Sequence, residues 1–193
     1  EQQVPREVII DNRNTGNKKK VEGRLHEKFD EVLALAQAGI PVLMVGPAGC
    51  GKTTLARQIA EAMETEFSCV SMSGGITEGQ LLGRLLPTGD GGKFEYHRTP
   101  LVERYEEGGV VLLDEIDAAD PNTLLVTNAG FANGHMTIPN RIEETEADRN
   151  EGFVLLAAAN TYGKGADRMY VGRNALDEAT IDRYRAGTVE LDY

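Results

Sequence analysis

The sequence is poor in cysteine, in basic charge and in long apolar runs, and each shortage removes a class of function. Its two cysteines, Cys50 and Cys69, stand in no metal-ligand spacing and read as free thiols. Cysteine used this sparingly fits a reducing intracellular compartment, so a cytoplasmic location is expected. Thirty-one acids outweigh 20 bases, giving a net charge of −11 and a pI near 4.8. Nucleic acid and anionic membranes are therefore not the default partners. The one dense basic cluster, Lys18-Lys19-Lys20, reads as a solvated turn. No apolar run approaches the roughly 20 residues of a membrane span, and no signal peptide is expected ahead of the domain. Internal repeats and low-complexity linkers are absent as well. The first residue is Glu1 rather than Met, as expected of a processed or trimmed chain.

What is present is one domain's worth of chain, 193 residues with an ordinary apolar content. Short continuous apolar runs alternate with segments of helical period. "IPVLMVG", "FSCVSMS", "GVVLLDEID", "FVLLAAAN" and "GTVELDY" read as strands. "HEKFDEVLALAQAG", "KTTLARQIAEAM", "TEGQLLGRLL", "PLVERYEEG", the segment from Asp120-Pro121 to about Asn133, and "NALDEATIDRYRAG" read as helices. Glu7 to Ile10 is expected as a short edge strand before a polar turn, "DNRNTGNKKKVEG". "PTGDGGKFEYHRTP" should contain a hairpin, "GHMTIPN" a strand fragment, and "RIEETEADRNEG" a charged surface loop. Apolar strands alternating with helices predict an α/β fold with a mostly parallel sheet covered on both faces.

The stretch "GPAGCGKT", Gly46 to Thr53, follows a predicted strand and opens a predicted helix. In that context Gly46, Pro47, Ala48, Gly49, Cys50, Gly51, Lys52, Thr53 and the following Thr54 form a phosphate loop. Its backbone N–H groups turn toward phosphate oxygens and the helix N-terminus adds a favourable dipole. Lys52 offers a point charge to the β- and γ-phosphates, and the Thr53 hydroxyl is a ligand for Mg²⁺. Cys50 contributes its N–H rather than its sulfur.

"VVLLDEID" ends a buried strand in acids, at the edge where open α/β sheets bind ligands. Asp114 is the natural carboxylate for Mg²⁺ or its water, and Glu115 the candidate to orient and polarise an attacking water. Asp117 and Asp120 read as loop or cap residues. Asn160, ending "FVLLAAAN", is either a turn residue or a contact to the γ-phosphate or the water. Of the late arginines, Arg185 has Asp182 three residues before it as a helical partner. Arg183 has no acid within its own helical reach. It is either a solvated helix-end arginine or a finger for transferring-phosphate charge. Arg168 and Arg173 lie in the loop "TYGKGADRMYVGR" and are less constrained.

The motifs "GPAGCGKTTLA", "GGVVLLDEIDAADPNTL", "FVLLAAANT" and "ALDEATIDRYR", in that order, resemble the AAA+ ATPases, and within them the MoxR-like, dynein-related group that includes the ATPase subunit of cobaltochelatase. The resemblance implies a P-loop NTPase three-layer sandwich with a five-stranded parallel sheet in the order 5-1-4-3-2, preceded by an extension over residues 1–25 and running over 26–193. It implies Lys52 and Thr53 as Walker A residues, Asp114 and Glu115 as Walker B, Asn160 as sensor 1, and Arg183 as the finger acting on a neighbour's ATP in a ring, usually of six. ATP and Mg²⁺ are the implied cofactors, hydrolysis of ATP the implied activity, and a protein to be remodelled the implied partner. The segment "LLGRLLPTGDGGKFEYHRTPL" resembles the insert of such proteins near the pore, where Phe94 and Tyr96 either pack the hairpin or touch a partner. The chain departs from the family in ending at Tyr193, where a helical lid with a second sensor arginine is expected. Two other readings stand beside the motor. A small-molecule kinase would not need Glu115 directly after Asp114. A nucleotide-gated scaffold would need no Lys52, Glu115 and Asn160 together. A GTPase lacks its base-reading N-K-x-D motif here.

Overall fold

The computed structural model describes residues 6–12, 17–89, 91–162, 165 and 174–192, with the backbone alone for 6–12 and 17–23. Arg168 and Arg173 lie outside the described residues. Five strands form the central sheet: β3 (Val42–Val45), β4 (Phe67–Ser71), β7 (Gly109–Asp114), β10 (Phe153–Ala159) and β11 (Thr188–Glu190). They lie in the order β11-β3-β10-β7-β4 and every pairing is parallel. Numbered along the chain, that is the expected 5-1-4-3-2.

The three inner strands are apolar on both faces because both faces are covered. Val42, Met44, Val110, Leu112, Val154 and Leu156 pack with α1 (Phe29–Gln37) and α2 (Lys52–Met63). Leu43, Val45, Val111, Leu113, Leu155 and Ala157 pack on the other side. There they meet α3 (Glu78–Leu82), α4 (Pro100–Glu107), α5 (Pro121–Asn133) and α6 (Glu178–Tyr184). Each fully buried Val or Leu contributes roughly 1.5–3 kcal/mol relative to exposure. Helix starts follow local chemistry. Thr99 caps α4 ahead of Pro100, Asp120 caps α5 ahead of Pro121, and Asp177 caps α6. Among the described residues no helix is long and apolar enough to cross a membrane.

Three local expectations need correction. The first strand, β1 (Arg6–Asn12), is longer than expected and does not edge the sheet. It pairs antiparallel with β2 (Asn17–Gly23), which occupies much of the supposed polar turn. "TEGQLLGRLL" is helical only to Leu82. Gly83, at φ 95°, ends α3, and β5 (Arg84–Pro87) pairs with β6 (Phe94–His97) as the expected hairpin. The charged segment after Pro139 holds β9 (Glu146–Asp148), paired with β8 (His135–Thr137). In each case cross-strand pairing overrode a polar or helical composition.

The β5–β6 hairpin is fastened by Tyr96. Its hydroxyl donates to the Leu82 carbonyl, and the Arg141 guanidinium lies 5.3 Å over its ring. Arg141 in turn pairs with Glu106 at 2.6 Å. Tyr96 therefore packs the hairpin, whereas Phe94 is 55% exposed.

Candidate functional site

The site is assembled where β3, β7 and β10 end and α2 begins. After β3 the chain must pass close to Leu191, the residue that follows β11. A Cβ on Gly46 would stand 2.3 Å from the Leu191 carbonyl oxygen, so only glycine fits. Gly49 and Gly51 then take φ of 89° and 95°, turning the loop back to start α2 at Lys52.

Lys52 is buried, 8% exposed. Its ammonium donates to the carbonyls of Gly46 (2.7 Å) and Pro47 (2.9 Å) and to Asn160 Oδ1 (2.9 Å). The Thr53 hydroxyl donates to Asp114 Oδ2 at 3.1 Å, and Asp114 Oδ1 accepts from the Glu115 N–H at 3.0 Å. Glu115 sits in the left-handed region, φ 57°, with its side chain exposed at the mouth. A non-glycine residue rarely adopts that backbone, and such positions cluster at functional sites. These groups line a cavity of about 360 Å³ with Ala48, Gly49, Gly51, Thr54 and Ser71. Lys52, Thr53, Asp114, Glu115 and Asn160 thus converge on one space. Gly46 and Pro47 reach it through their bonds to Lys52.

Cys50, whose sulfur lies 3.8 Å from the Lys52 ammonium, also lines a smaller cavity of about 210 Å³ with Arg24, His26, Gly49, Gly51, Thr54 and Gln58. His26 was not legible in any motif. The Lys28 N–H donates to its Nδ1 at 3.1 Å, so the opposite nitrogen carries the hydrogen and donates to the Cys50 carbonyl at 3.1 Å. The ring thereby braces the phosphate loop from behind. Ser71 was missed too; it ends β4 in register with Asp114.

Asp117 is not the loop or cap residue expected. It lies in a single 3-10 turn, Ile116–Ala118, and is completely buried. Its Oδ2 accepts from the N–H groups of Asn160 (3.1 Å) and Thr161 (3.0 Å) and from the Thr161 hydroxyl (2.9 Å).

Arg183 lines neither cavity. It is half-buried, and its Nε has no hydrogen-bond partner among the described residues. Arg185 does pair with Asp182, at 3.2 Å. Burial pushes the neighbouring Tyr184 hydroxyl well above the usual phenol range.

The donor set suits a nucleotide triphosphate with Mg²⁺. A buried ammonium, two left-handed glycines and a helix N-terminus face the same cavity, which is what polyphosphate oxygens require. Thr53 and Asp114 offer hard oxygens and no more than one carboxylate, as Mg²⁺ sites shared with phosphates do. Among the described residues no group of three or more His, Cys, Asp or Glu could hold a metal by itself.

A family model described as AAA domain (dynein-related subfamily) matches residues 41–184. An uncharacterized protein of Staphylococcus saprophyticus is 27% identical over 168 residues, and one of Staphylococcus aureus is 30% identical over 168 residues. Each alignment covers 86% of this chain, which spans 60% of the relative's length. Among solved structures, a proposed ATPase from Cytophaga hutchinsonii superposes with a TM-score of 0.65 at 19% identity, covering 88% of this chain and 47% of that one. NtrX from Brucella abortus gives 0.61 at 16% identity, covering 84% and 34%. A RuvB variant from Thermotoga maritima gives 0.57 at 21% identity, covering 87% and 46%. These likenesses establish the fold.

Proposed function

The chain belongs to the dynein-related subfamily of AAA domains, and from that premise we propose that it binds ATP with Mg²⁺ in the cavity at the C-terminal edge of the sheet, hydrolyses the ATP, and uses the cycle to remodel a partner protein. At the level of the family this is an ATP-binding ATPase domain. The observation that carries the finer reading is the convergence of Lys52, Asn160 and the Thr53–Asp114 pair on one cavity.

Lys52 would exchange its carbonyl contacts for β- and γ-phosphate oxygens, while the amides of residues 48–54 hold the rest of the polyphosphate. Thr53 and Asp114 would hold Mg²⁺. When bound, the ion neutralises charge between the β- and γ-phosphates. Glu115, exposed at the mouth, orients and polarises the attacking water. The Asn160 carboxamide, which accepts from Lys52, would touch the γ-phosphate or that water. Arg183 lines neither of the two cavities at the site, and its place in "ALDEATIDRYR", which resembles the finger segment of the family, supports a role toward a neighbour's ATP. On this reading the active form is a ring, a hexamer of a cytoplasmic, MoxR-like protein comparable with the ATPase subunit of cobaltochelatase.

The test is Glu115→Gln in full-length protein. ATP should remain bound while turnover falls by about a hundredfold or more, the span of lost acid–base assistance. Light scattering with and without ATP should show a ring that forms with nucleotide. Equal turnover would remove Glu115 from its role. Mixing Arg183→Ala with Lys52→Ala subunits should restore part of the activity each lacks alone. No recovery at any ratio would count against action between subunits.

A further inference from the structure

Neither the sequence motifs nor the family resemblance gives Asp117 a role, yet its surroundings do. Strand β10 ends at Ala159, whose carbonyl accepts from the Gly46 N–H. The next two amides, of Asn160 and Thr161, have left the sheet. Both donate to one oxygen of Asp117, and the Thr161 hydroxyl joins them. The carboxylate reaches them from the 3-10 turn that directly follows Asp114 and Glu115. A completely buried carboxylate is unfavourable unless its acceptors are filled, and here three donors fill one oxygen. The same turn also holds the lead-in to α6. The Asn174 N–H donates to the Asp117 carbonyl at 2.7 Å, and the Asn174 side chain donates to the Ala119 carbonyl at 2.9 Å.

We propose that Asp117 is a positioning residue for hydrolysis: it clamps the end of β10 to the turn after β7, and so fixes the Asn160 carboxamide relative to Glu115. The inference rests on the role given above to Asn160. A carboxylate does this where an apolar residue could fill the volume but not hold two adjacent amides. Asp117 is not among the residues that line the 360 Å³ cavity, and it acts only through Asn160.

A double-mutant cycle tests it in full-length protein, reading kcat, the affinity for a fluorescent ATP analogue, and the thermal midpoint. Asn160→Ala should lower kcat at least about tenfold. Asp117→Asn, which faces the three donors with a neutral and weaker acceptor in place of a charged one, should lower kcat by a similar factor, within the roughly hundredfold that a 1 Å misplacement can cost. Affinity should stay within about threefold, because Lys52 keeps its other contacts. The double variant should be no slower than Asn160→Ala alone, since neighbours acting through one group are not additive. Thr161→Val removes one donor but leaves the Asn160 tether, and should keep kcat within about twofold. Asp117→Glu keeps the charge and shifts the carboxylate by one methylene. It should slow turnover as well, and serves if the amide variant does not fold. A folded Asp117→Asn with normal kcat, or one whose loss adds in full to that of Asn160→Ala, overturns the proposal. If Asn160→Ala itself leaves turnover unchanged, the role of Asn160 falls first and this one with it.

Discussion

Two cavities of nearly equal size lie at opposite edges of the sheet, and only one is built for an anion. The cavity at the C-terminal edge, about 360 Å³, receives the N-terminus of α2 and the Lys52 ammonium. The other, about 350 Å³, lies where α2 and α4 end and β4 and β7 begin. It is lined by Glu61, Glu64, Glu66 and Glu107, with Arg104 as its one cation. That arginine is already engaged by the Gly108 carbonyl and by Glu107, both at 3.3 Å. Helix C-termini carry the negative end of the dipole, so the second cavity opposes phosphate twice over. Volume does not separate the two; helix direction and an available ammonium do.

Four variants would break or sharpen this contrast. Lys52→Ala has the largest expected effect. Losing a charge-assisted contact should weaken ATP binding by roughly 10- to 100-fold, measured by calorimetry. Unchanged affinity would mean the nucleotide sits elsewhere. Gly46→Ala comes next. Its methyl would meet the Leu191 carbonyl oxygen, and overpacking against backbone should cost about 1–3 kcal/mol in denaturant unfolding. Thr99→Ala removes the cap of α4, whose far end borders the acidic cavity. A loss of about 1 kcal/mol in stability with nucleotide affinity intact is expected. Smallest of all, Glu61→Gln with Glu107→Gln should leave ATP affinity within about twofold, because screening weakens distant surface charge. A larger change would couple the two edges.

The same contrast explains what could be read from the sequence. The first cavity was legible because its parts are continuous in sequence: apolar run, glycine loop, lysine, helix; apolar run, then acids. Each needs only local geometry, so β3, α2, β7 and β10 and the residues Lys52, Thr53, Asp114 and Glu115 stand where the motifs place them. Asn160 was ambiguous because a lone amide gains meaning only from Lys52 across the loop. Asp117 was misread because "DEID" offers three acids and only tertiary packing selects the one that turns inward. His26 had no signal, since its partners are a carbonyl and an amide that any residue supplies. Strands β2, β5 and β9 escaped for a related reason. Their pairing comes from a neighbouring strand and not from their own polar or leucine-rich composition.

The closeness of Gly46 to Leu191 has a consequence for the order in which the domain matures. The phosphate loop is made early in synthesis, yet the backbone it passes is that of Leu191, which directly follows the last of the five sheet strands to be made. Leu191 also donates its N–H to the Val45 carbonyl, closing that edge of the loop. Contacts so far apart in sequence form late, because the intervening chain must first be gathered. A nascent chain should therefore acquire its nucleotide affinity abruptly, once Thr188 to Leu191 have cleared the ribosome, and not gradually as the motifs appear. Stalled chains ending before Thr188 should fail to retain a fluorescent ATP analogue that longer ones hold. Nucleotide then cannot template the early folding of this domain; it can only reward its completion.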